Sequence, residues 1–209
     1  QAYSVIEVSD PKRKKALADL CADQVQIHQS PTFLVFCADL NRDRLAGQLH
    51  GVENFDTDYV EALLIATVDA ALVLQNVALA AESHGLGICM IGAIRIHPKT
   101  VGKLLNLPPL VYAVAGLCLG YPAKDQQQKP RLPLETILHH EQYPDDDQQI
   151  NLIKGYDQTM VEFYSSQAMH DKDPRWSKVM AARTARFHER AELDEYLSDQ
   201  GFHFKSSSP

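Results

Sequence analysis

The chain has 209 residues, 45% of them hydrophobic, which suffices for one sizeable core or a core with an appendage. Its formal net charge is −7, and no basic stripe interleaved with aromatic residues runs through it, so nucleic acid is excluded as an expected partner. The four cysteines, Cys21, Cys37, Cys89 and Cys118, lie far apart in apolar surroundings and read as reduced core thiols of a reducing, cytoplasmic compartment.

Residues 2–8, AYSVIEV, read as a first strand. Gln1 leads straight into it without a Met, which predicts a further segment upstream. Asp10-Pro11 then starts a helix, PKRKKALADLCA, with an N-cap and a proline at the first helical position. Gln24 falls in the loop after it. A glutamine there is a polar surface residue unless the loop faces a ligand. TFLVFCADL, residues 32–40, is nearly all apolar, so this second strand is predicted to be covered on both faces. Residues 42–57 are polar, suiting a short helix and a loop.

From Thr57 to about Ser83 the sequence is strongly helical and apolar nearly all round. A surface helix shows one apolar stripe. This one is predicted to be buried on several sides, by the sheet and by a second subunit. Asp69, Gln75 and Asn76 interrupt its apolar run, which argues for a buried helix and against a membrane span. Gly85 suits the left-handed position that ends a helix.

LGICMIGAI, residues 86–94, reads as a third strand, PKTVGKLLN as a helix opened by Pro98, and LVYAVAGLCLGYP, residues 110–122, as a fourth strand. A short apolar piece near Glu135–Leu138 and an acidic break, YPDDDQQ, precede helical segments at about 149–165, 176–186 and 189–200; the final KSSSP is predicted to fray. Strands alternating with helices predict a mixed α/β sheet protein. The pattern places a core at residues 1–147 and a helical extension at 148–209.

One loop raises a chemical question. QQKPRLP follows the fourth strand and sets Lys129 and Arg131 two residues apart around Pro130. Proline fixes φ and biases Lys129 towards extended backbone, where residues two apart share a side. The residues leave two readings open, a solvated loop and an anion clamp, most naturally for a phosphate. Gly85, Gly87 and Gly92 follow a helix and run into a strand, the reverse of a dinucleotide fingerprint. Gly92-Ala93 at the strand's end leaves room for a flat ligand to approach the backbone. HHEQ and HERAE both lack the second histidine of a helical zinc motif, so no metal site is expected. No G-x-S-x-G elbow occurs. Arg183, Arg186 and Arg190 share one helical face if their helix is unbroken, either as a charged surface or as a second anion site. An anion clamp without an acid/base or nucleophile set suits an enzyme whose cofactor does the chemistry.

AESHGLGICMIGAIR and LPPLVYAVAGLCLGYPAKDQQQKPRLP resemble the flavin-dependent nitroreductase superfamily, in its oxygen-insensitive NADPH nitroreductase and flavin reductase branch. The likeness extends over TFLVFCADLNR, the long helix and the C-terminal helices. It implies an α+β fold, with a mixed sheet flanked by helices and a long central helix, and an intertwined homodimer with FMN at the subunit interface and NADPH or NADH as hydride donor. Lys129 and Arg131 would contact the FMN phosphate and ribityl region. Gln24 would bond the polar edge of the isoalloxazine. Met90, Ile91, Gly92 and Ala93 would line the ring, and Gln1 with Ala2 would lie near its rim. Arg190 would help hold the NADPH phosphates. The implied reaction is a ping-pong transfer of hydride to a small-molecule acceptor: a nitroaromatic, a quinone or free flavin. Neither membrane nor nucleic acid is implied.

Three departures stand out. The family's N-terminal Arg-Ser-x-Arg-type stretch, which grips the phosphate, does not occur at the start of these residues. Gln167, in YSSQAMHDKDPRW, stands where an arginine is usual, which leaves NADPH and NADH both open. Ala93 replaces a common glycine. A non-enzymatic flavin- or nucleotide-binding module, or a cofactor-free relic, is the competing reading.

Overall fold

The structure, a computed structural model, describes residues 1–124, 127–167 and 173–203. The predicted frayed end, 205–209, lies outside the described residues. The chain divides into two compact units, residues 1–123 with 190–209, and residues 124–189, so the division expected near 147 falls inside the second unit.

In the first unit the strands are β1 (Tyr3–Glu7), β2 (Thr32–Asp39), β3 (Gly87–Ile91) and β4 (Val111–Gly120), and the sheet order is β1-β2-β4-β3. The helix-flanked α+β expectation holds. The strand directions refine it, because all three pairings among the described strands are antiparallel. β2 alternates between two apolar layers, as its sequence predicts. Phe33, Val35 and Cys37 enter one core with Leu17, Ala18, Ile27, Ile94 and Val101. Phe36 and Ala38 enter the other, with Leu74, Ala66 and Tyr112.

Helices α1 (Pro11–Leu20), α2 (Val25–Gln29) and α5 (Pro98–Leu104) supply residues of the first layer. Asp10 caps α1 by accepting the Arg13 N–H at 2.7 Å. Between β2 and β3 lie α3 (Asn41–Leu49) and the long α4 (Val60–Ser83). α4 lays Ala66, Ala70, Leu74, Ala78 and Ala81 inward. This stripe is mostly alanine at i, i+4 spacing, so the helix can approach the sheet closely. Its other side leaves Leu64, Ile65, Val68, Leu72 and Leu79 about half exposed. By length and composition α4 could cross a membrane, but its inward stripe packs on β1 to β4. Gly85 ends it at φ +74°, as expected.

α8 (Glu192–Asp199) returns to this unit and packs on α5. Tyr196 sits against Gly102, and Lys99 pairs with Glu195 at 2.7 Å and Asp199 at 3.2 Å. The Gln200 carbonyl accepts the Leu110 N–H at 2.7 Å, and the Gly201 carbonyl accepts the Thr57 hydroxyl at 2.6 Å.

In the second unit, α6 (Asp146–Ser166) is capped by Asp145, which accepts the Gln148 N–H at 2.8 Å. α7 (Trp176–Thr184) is tied to α6 through Asp157, which accepts the Ser177 N–H at 2.8 Å and its hydroxyl at 2.5 Å. Arg183, Arg186 and Arg190 do not share a helical face. α7 ends at Thr184, whose hydroxyl turns back onto the carbonyls of Met180 and Ala181 at 3.1 Å. That back-bonding competes with the helical ladder. Arg186 instead pairs with Glu189 at 2.7 Å.

Candidate functional site

The expected third strand stops at Ile91, and a 3-10 turn, Gly92–Arg95, replaces its end. The sheet explains why. Phe36 of β2 pairs with Ala115 of β4, but Cys37 pairs with Ala113, so Val114 is left out of register as a bulge. Its carbonyl accepts a hydrogen bond from Arg95 Nη1. The bulge and the turn are therefore joined by one guanidinium.

That junction holds four of the expected residues. Met90 is 45% exposed, whereas Ile91 is fully buried and Ala93 is nearly so. Both belong to the core beneath, so Ile91 and Ala93 can face a ligand only with their backbone. Among the described residues, a Cβ built on Gly92 would meet only Arg95 Nη2 within 4 Å, at 3.6 Å. The leading N–H groups of the turn, on Gly92 and Ala93, have no acceptor within the turn itself.

Gln24 stands at the N-cap of α2, a helix that the sequence reading left as loop. Its amide nitrogen donates back to the Cys21 carbonyl at 3.1 Å, so its remaining polar atoms are those available to a ligand. Gln1 is held at the head of β1. Asp69 of α4 accepts the Ala2 N–H at 2.8 Å, and the Gln1 nitrogen lies 3.1 Å from the same oxygen. Arg42 donates to the carbonyls of Gln1 at 3.0 Å and Tyr3 at 3.3 Å. The Ala2 N–H leads in holding the Asp69 carboxyl below its usual range. Arg190 is half-buried at the end of a 3-10 turn, Phe187–Arg190.

Lys129 and Arg131 belong to the second unit, and both are exposed. Among the described residues neither forms an ion pair with a carboxylate; Lys129 Nζ lies 5.3 Å over the Tyr164 ring instead. The Tyr156 hydroxyl donates to the Pro130 carbonyl at 2.9 Å. Gln167 donates to Gln127, so its side chain is engaged beside the same loop. Ala168 to Lys172 of the segment expected to grip NADPH, and Asp125 and Gln126 before the cation loop, lie outside the described residues.

The thiols take no part in such a site. Burial pushes Cys21 and Cys37 up to about 12 and Cys118 to about 11, and it raises Cys89 as well. All four are free and protonated near neutrality. Asp19, Asp23 and His28 bring ligand atoms close together on the exposed end of α1, where Lys15 already pairs with Asp19 at 2.9 Å and His28 with Asp23 at 2.7 Å.

Sequence reasoning missed Arg95 and the two tyrosines of α6. The signals were present. Arg95 is a charge ending an apolar run, and Tyr156 and Tyr164 are eight apart, on one helical face.

Residues 1–121 match the Nitroreductase family and residues 129–205 match the Nitroreductase family, C-terminal domain. An FMN reductase [NAD(P)H] of Bacillus subtilis is 38% identical over 203 residues, spanning 97% of this chain and 81% of that protein. An oxygen-insensitive NADPH nitroreductase of Salmonella typhimurium is 37% identical over 202 residues, spanning 97% of this chain and 81% of that protein. The solved structure of a hypothetical oxidoreductase from Bacillus subtilis superposes with a TM-score of 0.94 at 37% identity, covering 98% of this chain and 82% of that one. The chain belongs to the nitroreductase family and is an oxidoreductase. The resemblance drawn from HGLGICMIGA and KPRLP, the fold it implied and the enzyme reading are borne out over the non-enzymatic alternative.

Proposed function

We propose that this member of the nitroreductase family binds FMN and carries a hydride from NADPH or NADH to a nitroaromatic, a quinone or free flavin in a ping-pong cycle. The observation that carries the reading is the Lys129–Arg131 pair. It presents two cations, uncommitted to any carboxylate among the described residues, in a chain whose relatives are reductases of flavin and nitro compounds by name.

The donor set fits FMN. A phosphate takes charge-assisted bonds from Lys129 and Arg131. Flat ring access is supported by the uncrowded backbone at Gly92, met only by the Arg95 side chain among the described residues, and by the exposed Met90. The N–H groups of Gly92 and Ala93 and the Gln24 amide are donors suited to a ring's polar edge. When bound, FMN supplies the two-electron chemistry that no side chain here provides. The protein's part is to orient, to neutralise the phosphate and to keep water from the nicotinamide. Gln1, fixed by Asp69 and Arg42, supplies part of the rim.

The second copy of the expected homodimer would cover the half-exposed Leu64, Val68 and Leu72 of α4. Protonated, unpaired thiols support a reducing, cytoplasmic setting.

A visible absorption spectrum of the purified protein, as isolated and after incubation with FMN and desalting, tests the reading. A retained flavin band that bleaches with NADPH or NADH is the expected result. No retained flavin, or a band that neither donor bleaches, overturns it.

A further inference from the structure

The segment from Gln127 to His139 runs antiparallel along α6. Gln127 meets Gln167 just beyond the helix's C-terminal end. Lys129 lies over Tyr164, and the Pro130 carbonyl accepts from Tyr156. Further on, His139 Nε2 lies 3.3 Å from Gln149 Nε2, close to the start of α6. Taken in order, the partners descend the helix from 167 to 149.

Within that descent α6 holds the chain on both sides of the cation pair's central residue, Pro130. The Pro130 carbonyl belongs to the planar peptide that joins Pro130 to Arg131. Proline fixes one side of that peptide, and the Tyr156 hydroxyl fixes its plane. Tyr156 is itself only 5% exposed, and the Trp176 ring stands edge-on to it at 6.1 Å. The ring of Tyr164 then takes the Lys129 ammonium, so each flank of Pro130 is constrained from α6.

We infer that Tyr156 and Tyr164 are positioning residues that pre-set Lys129 and Arg131 for a phosphate monoester. The inference rests on the FMN reading above. α6 acts as a rail, so that the two cations meet the phosphate without first losing the freedom of a loose loop.

The test compares FMN with riboflavin, which shares the ring and ribityl chain and lacks the phosphate. Both are titrated into the full chain and followed by quenching of flavin fluorescence. Tyr156→Phe removes one hydroxyl and keeps the packing. It is expected to weaken FMN about fivefold and to leave riboflavin unchanged. Tyr164→Leu is expected to act in the same direction and with the same selectivity. In a Lys129→Ala, Arg131→Ala background, Tyr156→Phe is expected to cost FMN nothing further. Equal weakening of FMN and riboflavin, or no change in either, would overturn the positioning role. Failure of the FMN reading looks different: the wild-type chain would not prefer FMN to riboflavin, and removing both cations would leave FMN binding unchanged.

Discussion

The Arg95 guanidinium donates to the carbonyl of Val114, the residue that the β2–β4 register skips. A bulge strips a backbone carbonyl of its ladder partner, and a half-buried carbonyl left alone is costly. Arg95 answers that need from the far end of the Gly92–Arg95 turn. The same bond therefore joins the bulge of β4 to the turn that follows β3.

Arg95→Met is predicted to destabilise the fold by about 1–3 kcal/mol, through the unpaired carbonyl. Chemical denaturation measures the loss. Hydrogen exchange of residues 92–96 is expected to rise more than that of β2. A uniform rise across the sheet would mean that the bond does not act locally.

Gln167 engages Gln127 and offers no cation at the position where the resemblance implies an arginine. Gln167→Arg is predicted to raise the ratio of kcat/KM for NADPH over NADH by about tenfold, through a charge-assisted bond to the extra phosphate. Steady-state kinetics with both donors check this, and an unchanged ratio would place the donor's phosphate elsewhere.

The Asp69 carboxyl lies below its unfolded value, which is about 3.9, because it accepts the Ala2 N–H. A depressed folded value means stability that is complete above about pH 4 and disappears as pH falls through the lower folded value. Melting temperatures between neutrality and strong acid are expected to fall less steeply for Asp69→Asn than for the parent chain. The variant's melting temperature at neutral pH is expected to be lower, because the acceptor charge is gone. Parallel acid limbs for the two proteins would contradict the assignment.

Val68 is 51% exposed on the outer face of α4. If the proposed homodimer buries this face, Val68→Asp is predicted to yield monomers in sedimentation equilibrium, with helical circular dichroism retained. A dimer that survives the charge would show that this face is covered by something other than the second copy.

Much of the first unit was legible because its residues decide locally. TFLVFCADL is apolar at every position that either layer needs, and both layers are there. The long helix, its glycine terminator and the Asp10 cap follow from spacing and capping chemistry alone. The Val114 bulge was not legible. VYAVAGLCLG is evenly apolar, and a slip of one residue leaves no mark in such a run. The shared arginine face required an unbroken helix through residue 190, and α7 ends at Thr184. The Lys129–Arg131 pair was visible as residues, whereas its support was not. That support comes from α6, whose nearest contributing tyrosine is twenty-five or more positions away in the chain.

The first unit is discontinuous in sequence, and this has a consequence for synthesis. Phe202 and Tyr196 complete the core layer that contains Tyr112 and Ala66, and Leu110 and Thr57 find their hydrogen-bond partners at Gln200 and Gly201. A ribosome delivers all of 124–189 before Tyr196, Gln200, Gly201 or Phe202. The second unit, whose contacts are nearer in sequence, can therefore gather first, while the sheet waits with one layer open to chaperones and proteases. Vulnerability during translation should end only when α8 has cleared the exit tunnel.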